Sequence, residues 1–491
     1  MDDELCFTPA SELVPKMLSK ELSARELMEA TLSRIERRNP IVNAYTLVLA
    51  DEALVEADRA DARLLAGEPI KPLHGLPVCM KDLYEDKVGI RTSMGAPEFA
   101  HYLPSVSSTY IRRLEAAGAI IVGKTNVPEF GAHPSAAVAD NRTFGATRSP
   151  LALNMSSGGS SGGSAAAVVD GMCAIAQGSD GGGSLRIPAS LCGAYAIKPT
   201  FGRVPNAVRP NAFSPGTPES CYGPISRTVE DAALMLSILH GFDARDPHAA
   251  NDDGFDPLAA LHQGIQGKRI AFSPDFGGIP VDPRVATVVS EAVNCLSDAG
   301  ADITPVDIEL PVDQYALSDI WLQQVAVVNA DLVDIMLNQG IDLMGKHRDE
   351  LGDEFVSWVE RGRNMSATEY VRADRIRTAL HDTIENVFET FDFIVTPTLG
   401  TPPFPVGQQA GTTQAPTEIN GVPVTNAIGW CLTYPLNFTG HPAASVPAGM
   451  SDAGPVGMQI VGRRFDDASV LAASRTFEQV RPWHSQYDSL R

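Results

Sequence analysis

The chain has 491 residues, enough to bury a sizeable core as one large α/β domain or as up to about three smaller ones. Its 38 Lys and Arg against 60 Asp and Glu residues give a formal net charge of −22 with no basic cluster, which makes nucleic acid an unexpected partner. Apolar residues make up 44% and charged residues 20%, proportions typical of a globular protein and unlike those of a disordered chain.

The N-terminus and the cysteines indicate the compartment. Residues 1–5 are acidic where a secretory signal is basic, and no apolar run reaches the roughly 20 residues that cross a bilayer. Seven cysteines are widely spread without a C-x-x-C pair, so we predict reduced core cysteines and neither disulfides nor a thiolate zinc site. We therefore expect a soluble cytoplasmic protein that contacts no membrane.

Helix signals recur along the chain, and several lead into strand-like runs. In chain order, they predict a helix from the capping box 23–26 to Asn39-Pro40, a helix over 108–117 before a strand over 120–122, a helix over 228–240 and a helix from Asp282-Pro283 to Gly300. This alternation of helices and strands predicts an α/β fold.

Two long segments lack such signals. Residues 205–224, with five prolines, and 397–424, rich in Pro, Gly, Thr and Gln, are predicted to be long loops that shape or gate a pocket. The span 310–390 is predicted to be mostly helical, and the sequence leaves open whether it caps a site or forms an outer layer. Because no repeat or clear linker occurs, we predict one domain over 1–491.

Two Gly/Ser clusters, at 156–164 and 178–184, carry the strongest chemical signal. A flexible linker would have this composition, but the apolar stretch 165–176 between the clusters predicts a buried helix and strand. Glycine in such a setting more often permits unusual backbone geometry and a close approach to a ligand. We therefore interpret both clusters as parts of a site.

The first cluster also contains G-x-S-x-G, the nucleophile-elbow pattern of serine esterases, with Ser160 as its serine. The match is weak, since residues 154–157 are too polar to predict the preceding strand and nothing singles out a partner for the serine, His441 included. An esterase that uses Ser160 is therefore a distant alternative. No P-loop or zinc motif occurs, so neither ATP, a metal nor any other cofactor is indicated.

A serine nucleophile without a histidine needs another base, and a buried lysine is one such base. Lys81, Lys124 and Lys198 each follow an apolar run. The ordinary interpretation of each is a strand-end lysine that reaches solvent, and the residues alone do not choose among the three. A lysine base near pH 7.5 requires a pKa lowered by roughly 2 to 3 units from its usual 10.4.

Several longer motifs then occur in a fixed order: 73–82, 123–126 with Glu129-Phe130, both Gly/Ser clusters, 197–203, 223–228 and 455–459. On these motifs the chain resembles the amidase signature family of serine amidohydrolases nearly end to end. The resemblance implies an α/β fold with a large, mixed, twisted β-sheet covered by helices on both faces, and a signature core at about 70–235.

The resemblance also implies a catalytic triad. Its lysine is Lys81, its bridging serine is Ser160, which relatives hold through a cis peptide bond, and its nucleophile is Ser184. The remaining roles implied are an oxyanion hole of backbone N–H groups at Gly181, Gly182, Gly183 and Ser184, and support of the two loops by Ser161, Asp180 and Arg186. Two departures, Gly181 in place of Thr, Ile or Ala and Ser157 in place of Pro, remove no reacting group.

Family resemblance leaves the substrate open. Glutamine-using relatives carry an acidic residue shortly before a T-x-P-x-N stretch, whereas Trp430-Cys431 stands there in this chain, before 433–437. We therefore predict a stand-alone amidase for a small neutral amide such as an anilide, a carbamate or a short oligoamide, similar to aryl acylamidases, urethanases and cyclic nylon-oligomer hydrolases. The predicted pocket residues are Arg209, Trp321, Trp430 and Tyr434.

Two other interpretations stay in view. The first is that the chain is the glutamine-hydrolysing A subunit of a transamidating amidotransferase, which would need partner subunits. A non-catalytic binding protein on the same scaffold would have no reason to keep Lys81, Ser160 and Ser184 together. Beyond the amide substrate the sequence assigns no partner, and it leaves a homodimer open.

Overall fold

The computed structural model describes residues 2–131, 137–216 and 218–491. The strands among these residues are β1 (Tyr45–Val48), β2 (Pro77–Lys81), β3 (Ile120–Thr125), β4 (Arg148–Ser149), β5 (Ala152–Ser156), β6 (Ile175–Asp180), β7 (Tyr195–Lys198), β8 (Cys221–Ser226), β9 (Arg269–Phe272), β10 (Asp302–Pro305), β11 (Phe393–Pro397), β12 (Glu418–Ile419), β13 (Val422–Pro423), β14 (Ala443–Ser451) and β15 (Gly454–Val461).

The helices among the same residues are α1 (Asp2–Phe7), α2 (Ala10–Leu18), α3 (Ala24–Val42), α4 (Ala50–Leu65), α5 (Thr109–Ala116), α6 (Gly162–Val169), α7 (Arg186–Cys192), α8 (Val229–Leu239), α9 (Pro257–Ala260), α10 (Pro283–Asp298), α11 (Gln314–Asn338), α12 (Asp353–Asn364), α13 (Ala367–Thr390), α14 (Pro435–Thr439) and α15 (Asp467–Val480). Short 3-10 helices lie at Pro97–Phe99, Arg348–Glu350 and His484–Leu490.

One large sheet organises the fold. Its 11 strands follow the order β1-β3-β2-β6-β8-β7-β14-β15-β11-β9-β10. The pairs β2/β3, β2/β6, β11/β9 and β10/β9 are parallel, and the pairs from β6/β8 to β11/β15 are antiparallel. The sheet is therefore mixed, as predicted.

Helices cover both faces of this sheet. Side chains alternate between the two faces of a strand. In β11, Phe393 and Val395 belong to one hydrophobic cluster, whereas Ile394, between them, belongs to another. The first cluster includes apolar residues of α6, α8 and α10, and the second includes apolar residues of α11 and α13. The predicted α/β class with a covered sheet is confirmed.

The parallel pair β2/β6 positions the site. Both strands run in the same direction, so their C-terminal ends meet at one edge of the sheet. Lys81 ends β2 and Asp180 ends β6. The Gly/Ser clusters continue from this edge, because the first leads into α6 and the second leads from β6 into α7.

Most predicted elements are confirmed, and three details are corrected. The helix α3 passes Pro40 and ends at Val42, because a proline in the last turn removes little hydrogen bonding and Asn43 caps the end in the left-handed conformation. The strand β5 lies where the polar residues 154–157 predicted none, and it pairs with β4 in a separate two-stranded ribbon. The strand β8 begins inside the predicted loop 205–224, in which Thr217 lies outside the described residues.

Two further expectations concern cysteines and apolar length. All seven cysteines are free, and all except Cys295 are buried. Within the described ranges one helix, α11, has the length and average composition to cross a bilayer, although Asp319, Asp331 and Asp334 interrupt its apolar sequence. In the structure α11 packs against α12 and contributes to the protein core, and 44% of its most apolar window is buried.

Candidate active site

Lys81 lies at the centre of the site, fully buried at the end of β2. Its Nζ atom donates to Ser160 Oγ at 2.7 Å and to Ser179 Oγ at 2.9 Å. Burial lowers the pKa of Lys81 to about 8, against the opposing charges of Glu85 and Asp180. A lysine with this pKa is neutral in a sizeable fraction of molecules near neutral pH and is able to accept a proton.

The first Gly/Ser cluster holds Ser160 against this lysine. The peptide bond between Gly159 and Ser160 is cis. Gly163, three residues further on, is packed too closely for a side chain, because a Cβ atom there would lie 2.3 Å from the backbone nitrogen of Asn126. Ser161 joins the two clusters, because its N–H donates to the carbonyl of Ser184 and its Oγ donates to the carbonyl of Ser179, both at 3.2 Å.

The second cluster is held by a buried ion pair. The guanidinium of Arg186 donates from Nε and Nη2 to the two carboxylate oxygens of Asp180, each at 2.9 Å. Burial alone would raise the pKa of Asp180, but the charge and hydrogen bonds of Arg186 lower it to about 2. Asp180 also accepts from the backbone N–H groups of Gly183 at 2.8 Å and Leu185 at 3.2 Å. The pair thus sets the turn that presents Ser184.

Distant residues complete this network, and the sequence reasoning missed them. Asn437 Nδ2 donates to the carbonyl of Asp180 at 2.9 Å. Arg186 Nη1 donates to Gln459 Oε1 at 2.7 Å and to the carbonyl of Thr433 at 2.9 Å. The T-x-P-x-N stretch and the final motif supply all three, so position within a recognised motif was the available signal.

Three of the four predicted oxyanion donors are free of protein acceptors. The N–H of Gly183 donates to Asp180, which corrects its assignment as a free donor. Among the described residues no acceptor takes the N–H groups of Gly181, Gly182 and Ser184. The Thr433 hydroxyl fixes the turn from the other side by donating to the carbonyl of Gly182 at 2.6 Å.

A cavity of about 130 Å³ opens onto these groups. Ser160, Ser179, Gly181, Gly182 and Ser184 line its floor. Its other lining residues are Leu83, Tyr84, Phe130, Gly131, Ala137, Ile187, Pro218, Ser220, Tyr222, Trp321, Val325, Val328, Asn329 and Ile428. The hydroxyls of Ser160 and Ser184 face the same cavity without a direct hydrogen bond between them in the described structure.

Of the four predicted pocket residues, Trp321 lines the cavity and the other three lie elsewhere. Trp321 lines the cavity and donates from Nε1 to the carbonyl of Gly181 at 3.0 Å. Trp430 and Tyr434 are fully buried in the hydrophobic cluster behind the site and lie outside the cavity lining. Arg209 is on the exposed loop, where it donates to the carbonyls of Val208 and Arg245.

The expectation that strand-end lysines reach solvent is wrong for all three, because Lys81, Lys124 and Lys198 are fully buried. Lys124 Nζ lies 3.5 Å from Asp82 Oδ1. Lys198 Nζ donates to the carbonyl of Pro199 at 3.1 Å, with Cys221 Sγ at 3.8 Å. Contact with two serine hydroxyls distinguishes Lys81 from the other two.

One buried acid near Lys81 was not anticipated. Glu85 Oε2 accepts from the backbone N–H groups of Leu83 at 3.2 Å and Tyr84 at 2.9 Å. Burial raises the pKa of Glu85, while the positive charges of Lys81 and Lys124 oppose that shift. Glu85 therefore belongs to the electrostatic surroundings of the lysine.

A second, wider cleft of about 500 Å³ lies on the other side of α11. Residues of α11, α12 and α13 line it, among them Gln323, Arg361 and Arg372. It contains none of the serines of the site. No group of three or more His, Cys, Asp or Glu side chains is placed to hold a metal ion in the part of the chain that the structure describes.

The whole chain is similar to known proteins. A family model described as Amidase matches residues 26–471. An acylamidase of Rhodococcus erythropolis is 34% identical over 485 residues, which cover 98% of this chain and 97% of that protein. The A subunit of the glutamyl-tRNA(Gln) amidotransferase from Geobacter metallireducens is 35% identical over 500 residues, which cover 98% of this chain and 99% of that protein.

Solved structures are also similar to this chain over nearly its whole length. A bacterial aryl acylamidase of the amidase signature family superposes with a TM-score of 0.95 at 39% identity, over 99% of this chain and 98% of that one. A 6-aminohexanoate cyclic dimer hydrolase superposes with a TM-score of 0.84 at 25% identity, over 98% of both chains.

Proposed function

The chain belongs to the amidase signature family and is an amidohydrolase, and from that premise we propose that Ser184 is its nucleophile and Lys81, through Ser160, its base. One observation carries the proposal: the buried Nζ atom of Lys81 contacts Ser160, which lines the same small cavity as Ser184. Gly181, Gly182 and Ser184 line the same cavity, and their backbone N–H groups, which have no acceptor among the described residues, are the proposed donors to the oxyanion that forms there.

The proposed reaction is acyl transfer. Neutral Lys81 accepts the proton of Ser160 while Ser160 accepts that of Ser184, and the oxygen of Ser184 bonds to the amide carbonyl carbon. The C–N bond then breaks, and the amine leaves with a proton from Ser160, which Lys81 replaces. In the second half of the reaction a water molecule gives a proton to Ser160 and attacks the carbonyl carbon of the acyl-enzyme. The bond to the Ser184 oxygen then breaks, that oxygen regains a proton from Ser160, and the carboxylic acid is released. The two serine hydroxyls must approach each other when substrate binds, as catalytic contacts often do.

We further propose that the substrate is small and uncharged. The described residues that line the cavity carry no charged side chain, and most are apolar or aromatic. A free amino acid such as glutamine brings an ammonium and a carboxylate, and burying either without a charged partner is costly. The cavity therefore supports a stand-alone amidase for aryl amides, carbamates or short oligoamides, and disfavours the amidotransferase alternative.

Labelling with a fluorophosphonate serine reagent tests the nucleophile. We expect a single adduct on Ser184, found by peptide mass mapping, and slower labelling in Ser160→Ala and in Lys81→Met. Lys198→Met is the matched control, because Lys198 is equally buried and its Nζ atom contacts no serine hydroxyl of the described residues. An adduct on Ser160 in the native enzyme would contradict the proposal and favour the esterase alternative.

A substrate panel tests the class of amide. We expect kcat/KM for anilides, carbamates and short oligoamides to exceed that for glutamine by at least about 100-fold, because the charged groups of glutamine would be buried without charged partners. Efficient hydrolysis of glutamine, with little activity on the uncharged amides, would instead identify an amidotransferase component.

Three broader predictions remain proposals. We propose a single domain in which α11, α12 and α13 cover the cavity as a cap, supported by the lining residues that α11 contributes. We also propose a cytoplasmic enzyme. A homodimer is the remaining prediction, and sedimentation at several concentrations tests it.

A further inference from the structure

One stripe of α11 forms a wall of the cavity. Trp321, Val325 and Asn329 are four residues apart, and with Val328 they place one helical face against the cavity. The indole of Trp321 donates to the carbonyl of Gly181, so this end of the stripe lies against the proposed oxyanion donors. Asn329 is eight residues further on, about 12 Å along the helix axis.

The far end of the stripe carries an unsatisfied donor. Asn329 is 4% exposed, and its buried Nδ2 atom has no hydrogen-bond partner among the residues that the structure describes. Phe130 and Leu83 line the same cavity. Buried amides in proteins are nearly always paired, so an unpaired one needs an explanation.

A ligand atom supplies the missing partner most directly. The terminal torsion of asparagine is broad, so a small rotation turns Nδ2 toward a group in the cavity. The described lining offers no positive charge to accompany a carboxylate at this point. The partner that fits is therefore an uncharged acceptor, such as an ether, carbonyl, nitro or hydroxyl oxygen.

Resting on the proposed function, we propose that Asn329 determines substrate specificity by donating a hydrogen bond to an uncharged acceptor at the end of the substrate remote from the scissile amide. The substrate then extends from the oxyanion donors along α11. A site built to pair a polar group discriminates against analogues that lack it, because the donor is then left unpaired.

Matched amides test this assignment. Two pairs are compared, one with a para-methoxy or a para-ethyl group on the anilide ring and one with the same groups on the acyl half. We expect the native enzyme to prefer the methoxy member of one pair by about 10- to 100-fold in kcat/KM. The preference should fall to within about threefold in Asn329→Leu and in Asn329→Ala.

Comparing ratios between variants cancels the electronic effect of the substituent, because that effect is common to all of them. Asn338→Leu, at the exposed end of the same helix, is the control and should keep the native ratio. Equal ratios in the native enzyme and in both Asn329 variants would overturn the proposal.

The readouts separate this proposal from the one it rests on. Fluorophosphonate labelling of Ser184 in the native enzyme tests the nucleophile without reference to the role of Asn329. If Ser184 is not labelled in the native enzyme, the proposed function fails; calorimetry with the same amides then still measures whether the methoxy preference in Kd depends on Asn329. A change in melting temperature without a change in either ratio would make Asn329 purely structural and would also overturn the inference.

Discussion

The floor and the wall of the cavity treat their polar groups differently. Directly beneath the floor, Asp180 and Arg186 use their charged atoms in hydrogen bonds to each other and to the backbone. On the wall, α11 buries Asn329, whose Nδ2 atom is unpaired within the described part of the chain. Preorganised groups suit chemistry, because they need no rearrangement in the transition state. The contrast agrees with the proposed roles, in which the floor serves the reaction and the wall selects the substrate.

The variant with the largest expected effect breaks the ion pair between Asp180 and Arg186, which lies beneath the floor. Asp180→Asn leaves the Arg186 guanidinium buried without its carboxylate, which we expect to lower the free energy of unfolding by about 3 to 5 kcal/mol. It also releases the turn before Ser184, so activity should fall by at least about 1,000-fold. Denaturant unfolding and kcat/KM measure the two effects.

Asp334→Asn is the control for that variant. Its carboxylate pairs with Arg363 at 2.8 Å between α11 and α12, but both side chains are exposed. Exposed pairs contribute little, so stability and activity should stay close to native values. If Asp180→Asn behaved like this control, the ion pair would not hold the catalytic turn.

A second floor variant tests the shape of the turn. Gly183 has a φ of 132°, and a Cβ atom there would lie 2.1 Å from Thr433 Oγ1. Gly183→Ala must therefore displace the turn between the free N–H groups of Gly182 and Ser184. We expect a loss of about 100- to 1,000-fold in kcat, the cost of misplacing an oxyanion donor.

Gly67→Ala is the matched control, because Gly67 has a φ of 73° and a Cβ atom added there would meet nothing within 4 Å. It should lower stability slightly through backbone strain and leave kcat unchanged. Relief of the loss in Gly183→Ala by adding Thr433→Ala would locate the clash, whereas native kcat in Gly183→Ala alone would show that the turn tolerates displacement.

The pH dependence tests the base. The proposed base, Lys81, accepts a proton only as the neutral amine, and its pKa is about 8, so the proposal predicts that kcat/KM falls tenfold per pH unit below that value and levels off above it. The charge of Glu85 raises this pKa, so Glu85→Gln should move the acidic limb to lower pH, by up to about one unit.

Glu98→Gln is the control for this shift. Burial raises the pKa of Glu98 as well, but the charges that act on it are those of Glu129, Arg142 and Glu350. Its replacement should leave the limb in place. An acidic limb at the same pH in Glu85→Gln would mean that Glu85 carries no charge over the working range.

The residues predicted for the floor could be named from the sequence because short contiguous motifs carry them. Lys81, Ser160 and Ser184 each lie in a motif of about ten residues, and the structure brings Lys81 and Ser160 into contact. It missed the partners that reach Arg186 from Thr433 and Gln459, 247 and 273 residues away, because local patterns contain no information on such contacts.

Other errors have local physical causes. Lysine burial was underestimated because the end of an interior strand need not face solvent: Lys198 ends β7, which has neighbours on both sides in the sheet, and it is fully buried. The strand β5 was missed because it belongs to a small ribbon whose residues are partly exposed, so polar side chains are acceptable there. Aromatic identity alone could not separate the wall residue Trp321 from the core residue Trp430.

The smallest expected effect lies where wall and floor meet. Trp321 joins them through the hydrogen bond from its indole to the carbonyl of Gly181. Trp321→Phe keeps an aromatic ring in the cavity but removes that bond, which is worth about 0.5 to 1.5 kcal/mol, together with part of the indole's packing against the turn. If the wall helps to orient the oxyanion turn, kcat should fall by about three- to tenfold with a smaller change in KM.

Trp358→Phe on α12 is the matched control, because Trp358 is buried in the same hydrophobic cluster and lies outside the cavity lining. It should leave both constants near native values. A rise in KM with native kcat in Trp321→Phe would place Trp321 wholly on the substrate side of the comparison. In that case the indole would contribute to substrate binding and not to the transition state. The floor and the wall would then act independently, the floor in the reaction and the wall in substrate selection.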